Sequence, residues 1–258
     1  HTDHPREDRK AAQRSFSLSG TDARSAREAL EQLLEGLPPD LADALERYVA
    51  LLLDANTRLN LTRVVEPEAV ARLHLLDALA ALPLLDSLAP RRALDLGSGG
   101  GVPGIVLAMA RPELRWTLVD SVRKKADALR GFVDALGLAN VEVVAERAEI
   151  LGHAGEHRER YDLVTARACA ALPVLVEYAL PLLRVGGSLL AWKGVLTDEE
   201  LRGGSDAAAL LGGGMPEVRG TGFTALGEHR FVLVRKERPT PDLYPRRPGE
   251  PSRHPLGT

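Results

Sequence analysis

Apolar residues recur at helical spacing through residues 21–89, where Leu41, Leu45, Tyr48, Val49 and Leu52 form one stripe behind the helix-start signal Pro38-Pro39-Asp40. That stretch reads as about three helices. From Arg91 onward the period changes. Short apolar runs appear as ALDL (93–96), WTLVD (116–120), VEVVAE (141–146), YDLVTA (161–166) and SLLAWKG (188–194), separated by amphipathic stretches. One of these is expected to be a helix running through Leu183, with a turn at Gly186-Gly187 before the next strand. Such alternation predicts parallel β-α units in a sheet of at least about five strands. After a glycine-rich loop expected at Gly203-Gly204 and Gly212 to Gly214, the segments Gly222 to Leu226 and His229 to Lys236 are expected to close the sheet as an antiparallel hairpin.

The fold class is therefore α/β, a doubly wound and mostly parallel Rossmann-like sheet behind an N-terminal helical segment. Four segments are expected: a polar, disordered tail over 1–20, helices over 21–89, the α/β domain over 90–237 and a Pro/Arg-rich tail over 238–258. Prolines in that last stretch deny backbone donors, so it is read as a tail draped over the core. Composition narrows the classes. With 45% apolar and 27% charged residues over 258 positions, a disordered chain is excluded, and a single cysteine cannot staple a disulfide scaffold. No apolar run reaches the ~18 residues of a membrane span, and the first residues lack a signal peptide's apolar region. A cytoplasmic protein with no membrane partner is expected. No repeat or heptad array is present, and a monomer is expected.

The net charge of −3 gives no global attraction to polyanions, so any nucleic-acid contact must come from local clusters. Two exist. Arg123, Lys124, Lys125 and Arg130 are offset only by Asp127, and residues 235–254, including Arg246 and Arg247, carry six basic against three acidic residues. Either suits RNA phosphates; a solvated helix start for the first and a tether for the second remain alternatives. With two tryptophans, four tyrosines and four phenylalanines, the chain is poor in the rings that an RNA-stacking sheet uses.

The strongest chemical signal is Leu94-Asp95-Leu96-Gly97-Ser98-Gly99-Gly100-Gly101-Val102-Pro103-Gly104, a strand entering alternating glycines and then a helix. Bare backbone and unpaired helix N–H groups favour a small polar ligand there. Gly99, Gly101 and Gly104 also satisfy the dinucleotide pattern, which keeps a nicotinamide-dependent oxidoreductase open. Asp95, however, would repel a pyrophosphate and suits a cationic amino group, which favours S-adenosyl-L-methionine. Asp120 ends the next strand, where an acid meets ribose hydroxyls or caps a helix. Lys193 stands at a carboxyl strand edge, as a phosphate or base contact or as a snorkelling surface lysine. Asn60 and Thr62 are open between helix capping and substrate recognition. Cys169 reads as small core filler. His153 and His157 lie in a loop without a third ligand, so no metal is expected.

These residues resemble the bacterial small-subunit ribosomal RNA methyltransferases of the glucose-inhibited division protein B family. Beyond DLGSGGGVPGI, the similarity takes in NLT (60–62), HLLDA (74–78), VDSVRKK (119–125), RAE (147–149), ARACAAL (166–172), WKG (192–194) and YPRRPGEPSRHPL, covering about residues 45–256. The resemblance implies a class I S-adenosylmethionine-dependent methyltransferase fold and methyl transfer to N7 of a guanine in the decoding-region hairpin of 16S rRNA. S-adenosyl-L-homocysteine is the implied product, and 16S rRNA or the small ribosomal subunit the implied partner. It also implies cofactor contacts at Gly97, Val102, Ala148, Glu149 and Arg167. Roles follow: Gly97, Ser98, Gly99 and Val102 for the methionine end, Asp120 for the ribose, Ala148-Glu149 for the adenine edge. Arg167, Lys193, Asn60 and His74 would line the acceptor side. His74 and Asp77 share a predicted helix face, either as a structural pair or as a wall of the guanine pocket. Ala78 departs from the family, which usually has serine. Guanine N7 already offers a lone pair, so no general base is required. A non-catalytic RNA-binding protein that keeps a ligand pocket is the remaining rival.

Overall fold

The computed structural model describes the backbone of residues 5–257 and the side chains of residues 19–257. Among them, seven strands form one sheet in the order β3-β2-β1-β4-β5-β7-β6. They are β1 (Arg92–Leu96), β2 (Arg115–Val119), β3 (Val141–Val144), β4 (Tyr161–Arg167), β5 (Leu183–Lys193), β6 (Glu217–Gly220) and β7 (Arg230–Arg235). β1 to β5 pair in parallel; β7 runs antiparallel to both β5 and β6. The apolar runs ALDL and YDLVTA become β1 and β4, the central pair, buried along most of their length because helices cover both faces. The chain leaves β1 toward β2 on one side while β4 lies on the other. That reversal opens a crevice at the carboxyl edge, where doubly wound sheets bind ligands.

Before the sheet come α1 (Pro5–Leu33), α2 (Pro39–Leu59), α3 (Pro67–Val70), a π-helical turn (Ala71–Leu76), α4 (Asp77–Leu79) and α5 (Leu82–Leu88). The connections between strands hold α6 (Gly104–Ala110), α7 (Arg123–Leu136), α8 (Ala148–Leu151), α9 (Leu172–Ala179) and α10 (Asp198–Leu211), and α11 (Glu250–Arg253) lies in the tail. Tyr48, Leu52, Val70 and Leu75 from the N-terminal helices pack in the same core as Ile105, Trp116, Leu118 and Phe231 of the sheet domain. The boundary expected at residue 89 thus divides a shared core.

Four secondary-structure assignments differ from the sequence reading. Helix α1 begins at Pro5, so most of the segment expected as a disordered tail is helical. Its polar residues are largely good helix formers with no proline after the first position; residues 1–4 lie outside the described residues. Gly186-Gly187 is no turn between helix and strand: α9 stops at Ala179 and both glycines lie within β5. A Cβ at Gly187 would stand 2.9 Å from the Tyr161 carbonyl oxygen, beside the register shift that separates Tyr161 from Leu163. Gly203-Gly204 lies inside α10, because a Cβ at Gly204 would come within 2.4 Å of Leu172 on α9. Finally, the partner of β7 is β6, and Thr224–Leu226 is a short 3-10 turn.

The C-terminal segment is built into the molecule. Arg158 donates to the carbonyls of Gly152 (2.6 Å), Tyr244 (2.8 Å), Thr240 (2.9 Å) and Pro241 (3.3 Å). Lys236, fully buried, donates to Glu159 (2.7 Å) and to the carbonyls of Leu180 and Leu183. Arg246 grips the buried Glu177 with Nε (3.0 Å) and Nη2 (2.7 Å). Arg246 therefore tethers the tail, whereas Arg247 stays exposed. No helix among the described residues is long and apolar enough to cross a membrane.

Removing Arg246 leaves a buried carboxylate without its cation, a loss of about 3 kcal/mol. Arg246→Ala is expected to lower stability by that amount in urea denaturation; an unchanged midpoint would show that the tail is peripheral to the fold.

Candidate active site

The loop after β1 passes through Gly97 at φ +64°, a left-handed conformation that side chains strain to adopt. A Cβ there would also lie 3.1 Å from Cys169 Cβ. Cys169 is accordingly not core filler: it is exposed, on the loop after β4, where it covers bare backbone. The loop is held from below by Asp120, whose Oδ2 accepts the Gly99 N–H and whose Oδ1 accepts the Val122 N–H, both at 2.9 Å. Tyr48 on α2 donates to the Gly100 carbonyl from the other side (2.7 Å).

Asp95 departs from its expected role. Its carboxylate is fully buried, with Oδ1 accepting from Thr165 Oγ1 at 2.6 Å and Oδ2 lacking a partner. A Cβ at Gly104 would sit 2.7 Å from that Oδ2, so the start of α6 rests on the carboxylate and closes it off from the cleft. Burial pushes the Asp95 carboxyl up to about 6 against the hydrogen bond from Thr165. Asp95 shapes the loop from beneath.

Two cavities flank Gly97. One of about 170 Å³ runs past Val119, Ser121, Ala148, Glu149 and Tyr178. The Glu149 side chain is turned away from solvent, accepting from Arg147 (3.0 Å) and from the Gly249 N–H of the C-terminal segment (2.8 Å). Burial alone would raise its pKa, but these donors hold it below the usual carboxylate range. The other cavity, about 150 Å³, lies between Gly97–Gly100 and Thr62, His74 and Arg167.

Beyond it opens a third cavity of about 400 Å³, walled by His74, Asp77, Arg167, Trp192, Lys193 and His229. Arg167 reaches from the end of β4 to the N-terminal helices, donating to the Leu73 carbonyl (2.6 Å), Asp77 Oδ2 (3.2 Å) and His74 Nδ1 (3.2 Å). The Arg167 contact calls for Nδ1 of His74 as the acceptor, with Nε2–H donating to Thr62 Oγ1 at 2.8 Å, against the Leu73 carbonyl, which lies 3.2 Å from the same Nδ1 and can only accept. Burial first, and the Arg167 charge second, hold His74 down to about 4. His74 and Asp77 are thus joined through Arg167 rather than to each other. The other oxygen of Asp77 accepts from His229 Nδ1 (2.9 Å), and its backbone carbonyl accepts from Trp192 Nε1 (2.8 Å).

Lys193 is spoken for: Nζ bridges Glu200 (2.5 Å) and the Ala170 carbonyl (3.0 Å), tying β5 to α10 and the loop after β4. Asn60 is exposed and ends α2 at φ +49°, so it caps the preceding helix. The side chain that fixes the following turn is Asn56, which accepts the Thr62 N–H at 2.8 Å. The sequence reading missed His229. Its signal was present: in an antiparallel β7 the residue before Arg230 returns to the carboxyl edge beside Lys193, with which Arg230 is paired. Arg123 and Lys124 are exposed and Lys125 half-buried in the first turn of α7, which starts from the same edge. His153 meets the Pro245 carbonyl (2.7 Å) and His157 the Tyr161 hydroxyl (2.6 Å). Among the described residues no cluster of metal-ligating side chains occurs.

The strand order and the loop at the reversal point define a Rossmann-like fold of the class I methyltransferases. A selenomethionine-substituted CurJ carbon methyltransferase superposes with a TM-score of 0.51 at 17% identity, over 89% of this chain and 71% of that one. An O-methyltransferase from Bacillus cereus, solved with SAH, gives 0.50 at 19% identity, over 81% and 96%. In sequence, residues 41–221 match the family GidB, described as rRNA small subunit methyltransferase G. Proteins named ribosomal RNA small subunit methyltransferase G from Deinococcus deserti and Rubrobacter xylanophilus are 46% and 44% identical over 236 and 243 residues, covering 89% and 90% of this chain and 97% and 92% of theirs. The chain belongs to this family of S-adenosylmethionine-dependent methyltransferases.

A histidine whose pKa is lowered on folding contributes stability that is present above the unfolded pKa near 6.5 and is lost as pH falls toward the folded value of about 4. Nitrogen-15 NMR is expected to show His74 neutral, with its proton on Nε2, from pH 8 down to ~5. Titration of His74 near its ordinary value would break the Arg167–His74–Thr62 chain as described.

Proposed function

We propose that the chain methylates N7 of a guanine in the decoding-region hairpin of 16S rRNA, acting in the cytoplasm as a monomer. The observation that carries this reading is the acceptor-side wall, in which every ionisable group already has a partner: His74 with Arg167 and Thr62, Asp77 with Arg167 and His229, Lys193 with Glu200. Such a wall suits an acceptor atom that needs no base, and guanine N7 presents its lone pair at neutral pH. The rate enhancement then comes from in-line placement and a fixed polar surround.

The residues at hand fit the cofactor, because bare backbone at Gly97 meets both smaller cavities and any Cβ there would press on Cys169. When bound, S-adenosylmethionine supplies an electrophilic methyl group. Gly97, Ser98, Gly99 and Val102 hold its methionine end, and the backbone of Ala148 and Glu149 reads the adenine edge, the Glu149 carboxylate being turned to the tail. Asp120 serves the ribose side. Each of its oxygens keeps a lone pair after accepting one backbone N–H, so a hydroxyl shares it rather than displacing the loop. Arg167 stands between the cofactor cavity and the acceptor cavity and keeps N–H groups to spare for the O6 acceptor beside N7. Arg123, Lys124 and Lys125, with Arg247, track phosphates. Lys193, held by Glu200, forms part of the acceptor wall, and Asn60 shapes the turn after α2.

The test is transfer of labelled methyl to small ribosomal subunits from cells lacking the modification, with the product base mapped. Label in N7-methylguanine of that hairpin is expected; cofactor binding without transfer would leave a non-catalytic RNA-binding role. Gly97→Val is expected to weaken cofactor binding by at least ~10-fold in calorimetry while the cofactor-free protein keeps its fold. Unchanged affinity would remove the loop from the cofactor site.

A further inference from the structure

The acceptor cavity has a polar floor and an aliphatic mouth. Val195, in the loop between β5 and α10, lines it and is 75% exposed. From a separate segment, the turn after α2, Val64 lines the same cavity, and its neighbour Val65 is 43% exposed. Single exposed valines are ordinary on protein surfaces. Val195 is set apart by its position on the rim of a recess whose floor is Arg167, His74 and Asp77. The preceding Gly194 is also exposed, and a Cβ there would meet no atom within 4 Å. The Val195 side chain thus stands largely clear of the body of the protein.

His74, Arg167 and Ala168 line both this cavity and the one at the glycine loop, so the acceptor atom must descend into the recess to meet the methyl group. A purine held in a stacked helix does not reach such a floor. Enzymes that act on a base take it out of the stack, and apolar side chains inserted between base steps compensate part of the lost stacking.

We propose that Val195 is such a wedge, filling the stacking place of the acceptor base as that base turns out of its RNA helix and enters between Val195 and Val64. The proposal rests on the reading of the substrate as a guanine within structured RNA. It predicts selectivity in the acceptor step without any effect on the cofactor site.

The experiment uses the full chain and small ribosomal subunits lacking the modification. Val195→Gly is expected to lower kcat/KM by roughly tenfold, with Val195→Leu restoring most of it and the cofactor Kd the same in both. On subunits mutated so that the target guanine is unpaired and unstacked, the Val195→Gly deficit is expected to shrink to about twofold, because little extrusion remains to be assisted. A deficit of the same size on both kinds of subunit, or none on either, overturns the wedge while leaving the methyltransferase reading intact. Absence of wild-type transfer to subunits of either kind overturns that reading, and the wedge with it.

Discussion

The guanidinium of Arg167 is the constraint on which the site depends. It projects from the end of a central strand and donates to the Leu73 carbonyl, to His74 and to Asp77, all on the helices that precede the sheet. Without that reach, the N-terminal helices would still pack on the sheet through Leu52, Leu75 and Val70, since burial of apolar surface is not directional. They would not be held in one rotational setting. Asp77 converts packing into registration: one carboxylate oxygen takes Arg167, the other takes His229 from β7, and the carbonyl takes Trp192 from β5. Four segments far apart in sequence are thereby fixed around a single recess. The π-helical turn over Ala71–Leu76 lies in the same stretch, as single-turn π segments often do at functional sites.

Glycine does complementary work in the loop proposed to hold the cofactor. Gly104 lets α6 settle on the buried Asp95 carboxylate, and Gly97 leaves backbone facing the cleft. The acid in the D-x-G-x-G-x-G pattern is thus set beneath the loop, where burial raises its pKa and Thr165 anchors it. Sequence spacing alone does not separate an acid that meets a ligand from one that supports the loop that does.

This difference explains what was legible. Strand positions were readable because central strands are covered on both faces, which leaves continuous apolar runs in the sequence. The glycine loop was readable because its composition serves local geometry. Gly203-Gly204 and Gly186-Gly187 were misread because their neighbours, Leu172 and the Tyr161 carbonyl, are distant in the chain, and a glycine kept for close approach resembles one kept for a turn. The same holds for Lys193, Glu149 and Arg246. Each carries a charge suited to a ligand, but Glu200 claims Lys193 across the loop into α10, and Gly249 and Glu177 claim Glu149 and Arg246 across separations that no local pattern announces. His229 was overlooked for the converse reason: its relevance depends on β7 running antiparallel.

A wall of fully paired charges also sets the kind of chemistry the recess accommodates. The proposed methyl transfer to a neutral nitrogen moves positive charge from donor to acceptor, with no proton passing to the protein in the bond-forming step. A surround in which the neutral His74, the Arg167 cation and the Asp77 carboxylate have fixed partners needs little reorganisation as that charge moves. A lone titratable group would add pH sensitivity to a step that has no use for it. Fixing these groups has a cost in conformational entropy, met during folding by the shared core rather than at the moment of reaction. In the proposed reading the N-terminal helices belong to the catalytic unit, because they and the turn after α2 carry His74, Asp77 and Thr62 to the wall while their apolar faces complete the core that holds the sheet.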